Sequence, residues 1–535
     1  LSDNTAFMVI TLKIEDQGHI EPMYALIELP KQLDRFVVLP KKDGKQYVMM
    51  LDDLIRYNFH LIFNMFNYTS IEAHMVKITR DAELDLEENV GKSYVEKIRN
   101  SVKERMIGDP VRLVYDKTIT ESTLLFIMKK MGISSTDSLI PGGKYHHRRD
   151  YMNFPSLNRG DLLYPAVTPL EIKGLRLDGN ILKAISEKDY LLYAPYHNYY
   201  YVIKFLREAA LDPKVKTIKI TLYRLSQNSQ VVSSLINAAK NGKKVTVQIE
   251  LQARFDEKNN IIFAERLEAA GVNLIFGVPG LKVHTKICLI EREEGSKLKR
   301  YGFISSGNFN ETTAKIYTDY TLFTAHQKVL KDVGKVFGFF EVNYKIKSYK
   351  HLIVSPHYTA TVLNKLIDKE IENALAGKPA KIRLKLNSIT NYKIIDKLYK
   401  ASNAGVEVHM IVRGVCCLIP GINGMSERIE VISILDKYLE HPRVYIFEND
   451  GSPKMYISSA DLMTRNIDNR VEVACPIYDL DLQKQLLDTF LISWNDNMKA
   501  RILNGTDQNI FKKTNAKPYR SQWEMYEYFK AQLAE

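Results

Sequence analysis

The chain has few of the residues that staple or anchor a fold. Its 535 residues include four cysteines, Cys288, Cys416, Cys417 and Cys475. Their spacing fits neither a disulfide framework nor a zinc site, which favours buried thiols in a reducing, cytoplasmic setting. No stretch approaches the ~18 consecutive apolar residues needed to cross a bilayer. The opening LSDNTAF carries no signal-peptide pattern. Peripheral association with a membrane surface remains compatible with such a chain. Because the first residue is not Met, the natural protein is expected to extend upstream. A Walker-type Gly-rich loop, the His-Glu-x-x-His helix of zinc proteases and an EF-hand loop are also absent, which excludes those three kinds of phosphate or metal site.

Positive charge, by contrast, is in excess. Seventy-five Lys and Arg face 63 Asp and Glu, a net +12 at pH 7. Such a balance points to a polyanionic partner: nucleic acid, anionic lipid, nucleotide or inorganic phosphate chains. The 45% hydrophobic and 26% charged shares are those of an ordinary globular protein. The length suits three or four domains, each able to bury its own core.

Hydrophobic periodicity separates a head from two similar halves. Residues 1–170 mix alternating runs such as YALIELP and RFVVLP with the helical pattern YVMMLDDLIRYNFHLIF, an α+β head that ends in the basic loop PGGKYHHRRD. From Thr217 the order is strand TIKITLY, helix VVSSLINAAKNG, strand KKVTVQIEL, helix IIFAERLEAAG and strand NLIFG, which predicts βαβ units on a parallel or mixed sheet. The pattern then restarts with KIRLKL, IIDKLYKASNAG and VEVHMIV. AAKNGKKVTVQI at 238–249 aligns with ASNAGVEVHMIV at 401–412, 163 residues apart. The expected organisation is therefore a head (1–170) followed by two related α/β domains (171–351 and 352–535). A closing helix is expected to pack through Trp523, Tyr526 and Leu533.

The repeat carries the chemistry. His284-Thr-Lys286 precedes SSGNFN at 305–310, and His441-Pro-Arg443 precedes SSADLMTRN at 458–466. A lone histidine on a β run is more often a hydrogen-bonded structural group. Here the histidines lie 157 residues apart within one repeat, each with a cation two residues on and so on the same strand face. A duplicated fold can bring both rings to one seam, where a neutral imidazole attacks phosphorus and the second handles protons or phosphate oxygens. Arg224, Arg254 and Arg413 follow strand-like runs, where ligands of open α/β sheets bind, and Arg470 opens RVEVA. Singly each is a solvated or ion-paired residue; together they suit a guanidinium lining for several phosphates. Asn308 and Asn466 supply amides. Tyr317 and Asp319 in KIYTDY offer a stacking ring and a carboxylate for a metal or an imidazole. KYHHRRD is read as a solvated loop.

These runs resemble a known family. GLKVHTKICLIE, RYGFISSGNFNETTAKIYTDY, LQARFDEKNNI, RGVCCLIPG, YLEHPRVYIFEN and SSADLMTRNIDNRVEVA look like bacterial polyphosphate kinase of the first family, over nearly the whole chain. The two halves also resemble the phospholipase D superfamily, with H-x-K, an acid and an Asn. Here Glu291 stands where that superfamily has Asp, and the second copy reads H-x-R. The resemblance implies a four-part protein whose N-terminal helical domain precedes this chain, with dimers formed through the head. It implies that His284 becomes phosphorylated and that His441 is the second essential histidine. Tyr317, Arg413, Arg470 and Asn308 would contact nucleotide or phosphate, with Lys286 beside His284. Arg224 and Arg254 would serve a magnesium–phosphate site. ATP, ADP, inorganic polyphosphate and Mg2+ are the implied partners, with no nucleic acid. A phospholipase D-like phosphodiesterase or nuclease is the alternative reading.

Overall fold

The computed structural model describes the chain apart from residues 1–4, 17–18, 31, 81–109, 135–137, 147, 252–256, 345–346, 507 and 535. It falls into two compact units, Leu1–Ala166 and Val167–Glu535.

In the first unit the period-2 pattern of Phe7–Asp16 builds an inner strand of a five-stranded sheet, between the edge strand His19–Glu28 and the central strand Tyr68–Arg80. Met8, Ile10 and Leu12 point to one core with Phe59 and Phe63, while Phe7 and Val9 point to the other with Leu113 and Ile127. Pro110–Asp116 and Ser138–Gly142 pair in parallel, which requires the crossover helix Glu121–Met131 between them. The helical pattern expected across 47–63 begins instead as a strand, Val48–Met50, paired with Phe36–Val38. The helix starts at Leu51, where Asp52 and Asp53 favour an N-terminal turn, and is interrupted at Asn58, whose side chain donates to Leu54 O at 2.8 Å.

The second unit contains two eight-stranded sheets of α/β type with matching strand order. In the first sheet, Asn273–Phe276, Lys244–Ile249 and Val215–Leu222 run parallel and continue antiparallel through Ile287–Glu294, Lys297–Ser305 and Tyr317–Thr324 to Tyr190–Ala194. In the second, Ile429–Ile434, Glu407–Val412 and Lys381–Leu386 run parallel and continue through Arg443–Phe447, Lys454–Ser458 and Val473–Pro476 to Ile353–Val354. The sequence repeat is thus a repeat of topology. Residues of both sheets, including Leu289, Ile304, Val444 and Ile457, share one core with helices Gln327–Glu341 and Leu480–Trp494. At ~25 cal/mol per Å² of apolar surface, such a shared interior resists sliding of one half on the other.

Two short parallel pairings exchange backbone between the halves. Lys282–Val283 pairs with Arg470–Val471, and Leu439–Glu440 pairs with Tyr317–Thr318. The closing helix, Ser521–Ala534, buries Gln522, Met525 and Phe529, whereas Leu533 is exposed. Of the expected packing residues, Tyr526 is half-buried against the shared core, Leu533 is not packed, and half-buried Trp523 serves as a platform for the Arg520 guanidinium at 3.9 Å. Among the described residues no helix is long and apolar enough to cross a membrane.

Candidate active site

The two exchanged pairings decide where the histidines go. In the register Val283↔Val471 the next residues are His284 and Glu472; in Thr318↔Glu440 the next are Asp319 and His441. Each histidine thereby meets a carboxylate of the other half. His284 Nδ1 lies 2.9 Å from both Glu472 oxygens, and His441 Nδ1 lies 3.0 and 2.8 Å from those of Asp319. With Nδ1 donating to a carboxylate, Nε2 of each ring keeps its lone pair.

Each carboxylate is itself held by a serine thirteen residues upstream. Ser306 Oγ donates to Asp319 Oδ1 at 2.7 Å, and Ser459 Oγ donates to Glu472 Oε2 at 2.5 Å. Glu472 also accepts from Asn466 Nδ2 at 2.9 Å. The second acid, Glu472, and the two serines are functional groups the sequence reading did not single out. The signal was present: Ser306 to Asp319 and Ser459 to Glu472 have the same spacing, so the acid of one copy locates that of the other. Asp319, expected near a metal or an imidazole, faces the imidazole.

Cations surround this core. Lys286, 2% exposed, donates from Nζ to the His284 carbonyl. Arg443 donates from Nη1 to His441 O at 2.9 Å and from Nη2 to Asp461 at 2.9 Å. Arg470 Nη1 is 3.8 Å from Glu472. Arg413 Nε donates to Asn387 Oδ1 at 2.9 Å, and Asn387 Nδ2 donates to His441 O at 3.0 Å, so this guanidinium reaches the second histidine through one amide. The Tyr317 ring lies 5.3 Å from that of His441. Tyr223 stands edge-on to His284 at 4.9 Å, with Arg224 and Lys286 at 5.7 and 5.3 Å from its ring. Asn308 follows Ser306 by two residues; its Oδ1 is buried and has no hydrogen-bond partner among the described residues. Arg254 lies outside the described residues. Glu291 is not in the site: it pairs with Arg300 at 3.1 Å, seven residues down the strand from His284, or roughly 23 Å at ~3.3 Å per residue.

Burial and charge set the protonation states. Burial, reinforced by Lys286, Arg470, Arg443 and His441, pushes His284 well below the usual imidazole value, so the ring is neutral at pH 7. Burial also lowers His441, opposed by Asp319. Burial raises Glu472 to about 7 against the pull of Lys286, the Ser459 hydrogen bond and the arginines. Among the described residues no group of three or more His, Cys, Asp or Glu is placed to hold a metal ion. A guanidinium has no lone pair to ligate one, so this lining suits a cation that arrives on phosphate oxygens and does not suit a bare ion.

Gly307 is constrained by the same geometry. A Cβ there would lie 2.1 Å from Asp319 Oδ2, whereas the second copy has Ala460 at the matching place. Gly307→Ala is expected to displace Asp319 and cut turnover roughly 10- to 100-fold, because misplacing a supporting group by about 1 Å has that consequence. Steady-state kinetics beside a circular-dichroism melt measures this; full turnover in the variant would mean that the carboxylate does not govern His441.

Two neutral histidines, each oriented by a carboxylate inside a ring of fixed cations, make this site that of a phosphoryl-transfer enzyme. The sequence models for the polyphosphate kinase middle domain, C-terminal domain 1 and C-terminal domain 2 match residues 1–154, 180–346 and 352–522. The polyphosphate kinase of Vibrio parahaemolyticus is 44% identical over 535 residues, covering 99% of this chain and 76% of the relative. That of Escherichia coli K12 is 43% identical over 517 residues, covering 95% and 75%. The crystal structure of polyphosphate kinase from Porphyromonas gingivalis superposes with a TM-score of 0.85 at 34% identity, over 100% of this chain and 79% of that one. The chain belongs to the polyphosphate kinase family.

Proposed function

We propose that this kinase moves the γ-phosphoryl group of ATP reversibly to inorganic polyphosphate through a phosphohistidine on His284. The observation that carries the reading is the His284–Glu472 bond across the two halves, which leaves a neutral ring with Nε2 as its free nitrogen beside Lys286 and Arg470. The Nε2 lone pair attacks the γ-phosphorus in line, the bridging P–O bond breaks, and ADP departs with that oxygen. A terminal polyphosphate oxygen then attacks the same phosphorus and the N–P bond breaks, while the Nδ1 proton stays on Glu472's partner ring throughout. Because donor and product bonds are both phosphoanhydrides, the transfer runs in either direction. Mg2+ is the divalent ion proposed; bound to the phosphates it would spread their charge, with Arg224 on the same oxygens. In a loose transition state the protein's part is positioning and charge neutralisation, which suits this cationic lining. A pulse–chase tests the reading: label taken from γ-labelled ATP should return to ATP with added ADP and enter polyphosphate with added chains. Release of the label mainly to water would support the phosphodiesterase-like alternative.

Arg224→Ala is expected to remove roughly 2–4 kcal/mol of transition-state stabilisation, as for a lost oxyanion donor, with the fold intact. Near-normal kcat/KM would make Arg224 structural. The charge of arriving phosphates favours a proton on His441 Nε2, and in that protonated form His441 is read as a holder of phosphate oxygens more than an obligatory acid, since ADP is a far weaker base than the alkoxide a diesterase expels. His441→Gln, which keeps a donor and cannot titrate, should retain more activity than His441→Ala. Equal loss in both variants, together with a vanished pH limb, would establish proton transfer as its role.

A further inference from the structure

We propose that Gln522, on the closing helix, is a positioning residue for His441. The strand that delivers this histidine, Leu439–Glu440, is two residues long, too short to hold its own register against Tyr317–Thr318. Its register is fixed by buried side chains instead. Gln522, 2% exposed, accepts from Tyr438 N at 2.8 Å and donates from Nε2 to Tyr438 O at 2.9 Å and to Glu440 Oε1 at 2.7 Å. Its amide is thus committed to the residues just before His441. The other Glu440 oxygen meets Lys385 Nζ at 2.7 Å and Thr318 Oγ1 at 3.2 Å, and Thr318 Oγ1 lies 3.3 Å from His441 N, one residue before Asp319.

The helix carrying Gln522 is anchored on the other half. The Phe529 ring packs 6.0 Å from both Tyr193 and Tyr196 and 4.3 Å from His197, and Tyr526 OH donates to Thr168 O at 3.2 Å. One face of the helix therefore rests on the half that carries Asp319, and Gln522 grips the segment that carries His441. Burying Lys385 with Glu440 confers little net stability, because desolvation of both charges offsets their attraction. A register-setting role accounts for keeping a charged pair where an apolar one would pack.

The inference rests on the assignment of His441 to the site, and its test separates the two. The imidazole N–H that His441 directs to Asp319 should give a downfield proton resonance, identified by its disappearance in His441→Gln. Gln522→Ala should broaden or remove that resonance, leave the one from the His284–Glu472 pair in place, and lower kcat roughly 10- to 100-fold. In a His441→Gln background the same substitution should change kcat less than about twofold, since a residue acting through His441 is coupled to it. An equal factor in both backgrounds, an unchanged His441 resonance, or unchanged kcat would overturn the proposal. Wild-type activity in both His441→Gln and His441→Ala would instead remove His441 from the mechanism. Should Gln522→Ala fail to fold, Gln522→Met, which keeps chain length and helix preference, replaces it in the cycle; failure of both to fold would assign Gln522 to stability and overturn the positioning role.

Discussion

His284→Ala is expected to abolish self-phosphorylation by γ-labelled ATP and to lower polyphosphate synthesis by roughly 10⁴-fold or more, the scale on which removal of a nucleophile acts. The size of the effect follows from the asymmetry of the two carboxylates. Glu472 is 1% exposed in its side chain and takes hydrogen bonds from Ser459 and Asn466 as well as meeting His284. His284 is consequently the more tightly oriented ring, and burial among cations keeps it unprotonated. His441 has Asp319 and Ser306 behind it, but Arg443 Nη1 sits 3.2 Å from its Nε2, where a guanidinium donor competes for the lone pair an attack would need. The two rings are therefore not interchangeable, and His441 should not replace His284 as carrier. Filter-bound label on the purified variant measures this; wild-type labelling would assign the carrier role elsewhere.

Glu472→Gln is the second large effect, expected at roughly 10²- to 10⁴-fold in turnover with the fold retained, by analogy with other carboxylate-oriented catalytic histidines. A carboxylate can only accept, which forces the proton onto Nδ1 and leaves Nε2 bare. An amide can also donate, which stabilises the tautomer with the proton on Nε2 and blocks attack. The same argument gives the sign of the pH dependence. Burial pushes Glu472 up to about 7, so below that pH the neutral acid donates to Nδ1 and the unreactive tautomer gains population. Activity of the native enzyme should accordingly rise with pH through about 7. The His284 proton, lost well below the ordinary imidazole value, does not limit the rate there. As the acid and the ring are coupled, the limb belongs to the pair. It should be missing from the Glu472→Gln profile; an identical limb in the variant would place its origin in another group.

Much of this was legible in the sequence, and the exceptions have physical causes. The strands KIRLKL and VEVHMIV and the helix between them follow from periodicity, and the repeat foretold two related α/β domains. The repeat also brought His284, His441 and Lys286 forward, and the KIYTDY run brought Tyr317 and Asp319. The exchange of carboxylates was not visible. Nothing local to HTK says that its partner lies 188 residues away on Glu472, because that contact depends on a two-residue pairing, Lys282–Val283 with Arg470–Val471, set by packing of the halves. Glu291 shows the converse error of motif reading. It stands at the spacing of a superfamily acid, yet the strand carries it away from the site into an ion pair with Arg300. On the closing helix Tyr526 packs against the shared core as its pattern suggested, but the residue that hydrogen-bonds the segment just before His441 is the inconspicuous amide Gln522.

The central claim, a phosphohistidine at His284 made nucleophilic by Glu472, is tested most directly by labelling the full chain from γ-labelled ATP, dividing the product between acid and base, and mapping the labelled peptide. The account predicts a label stable in base, lost in acid and confined to the peptide bearing HTKICLIE, with its yield sharply reduced in Glu472→Gln. An acid-stable label, or one carried by the peptide bearing HPRVYIFE, would contradict it.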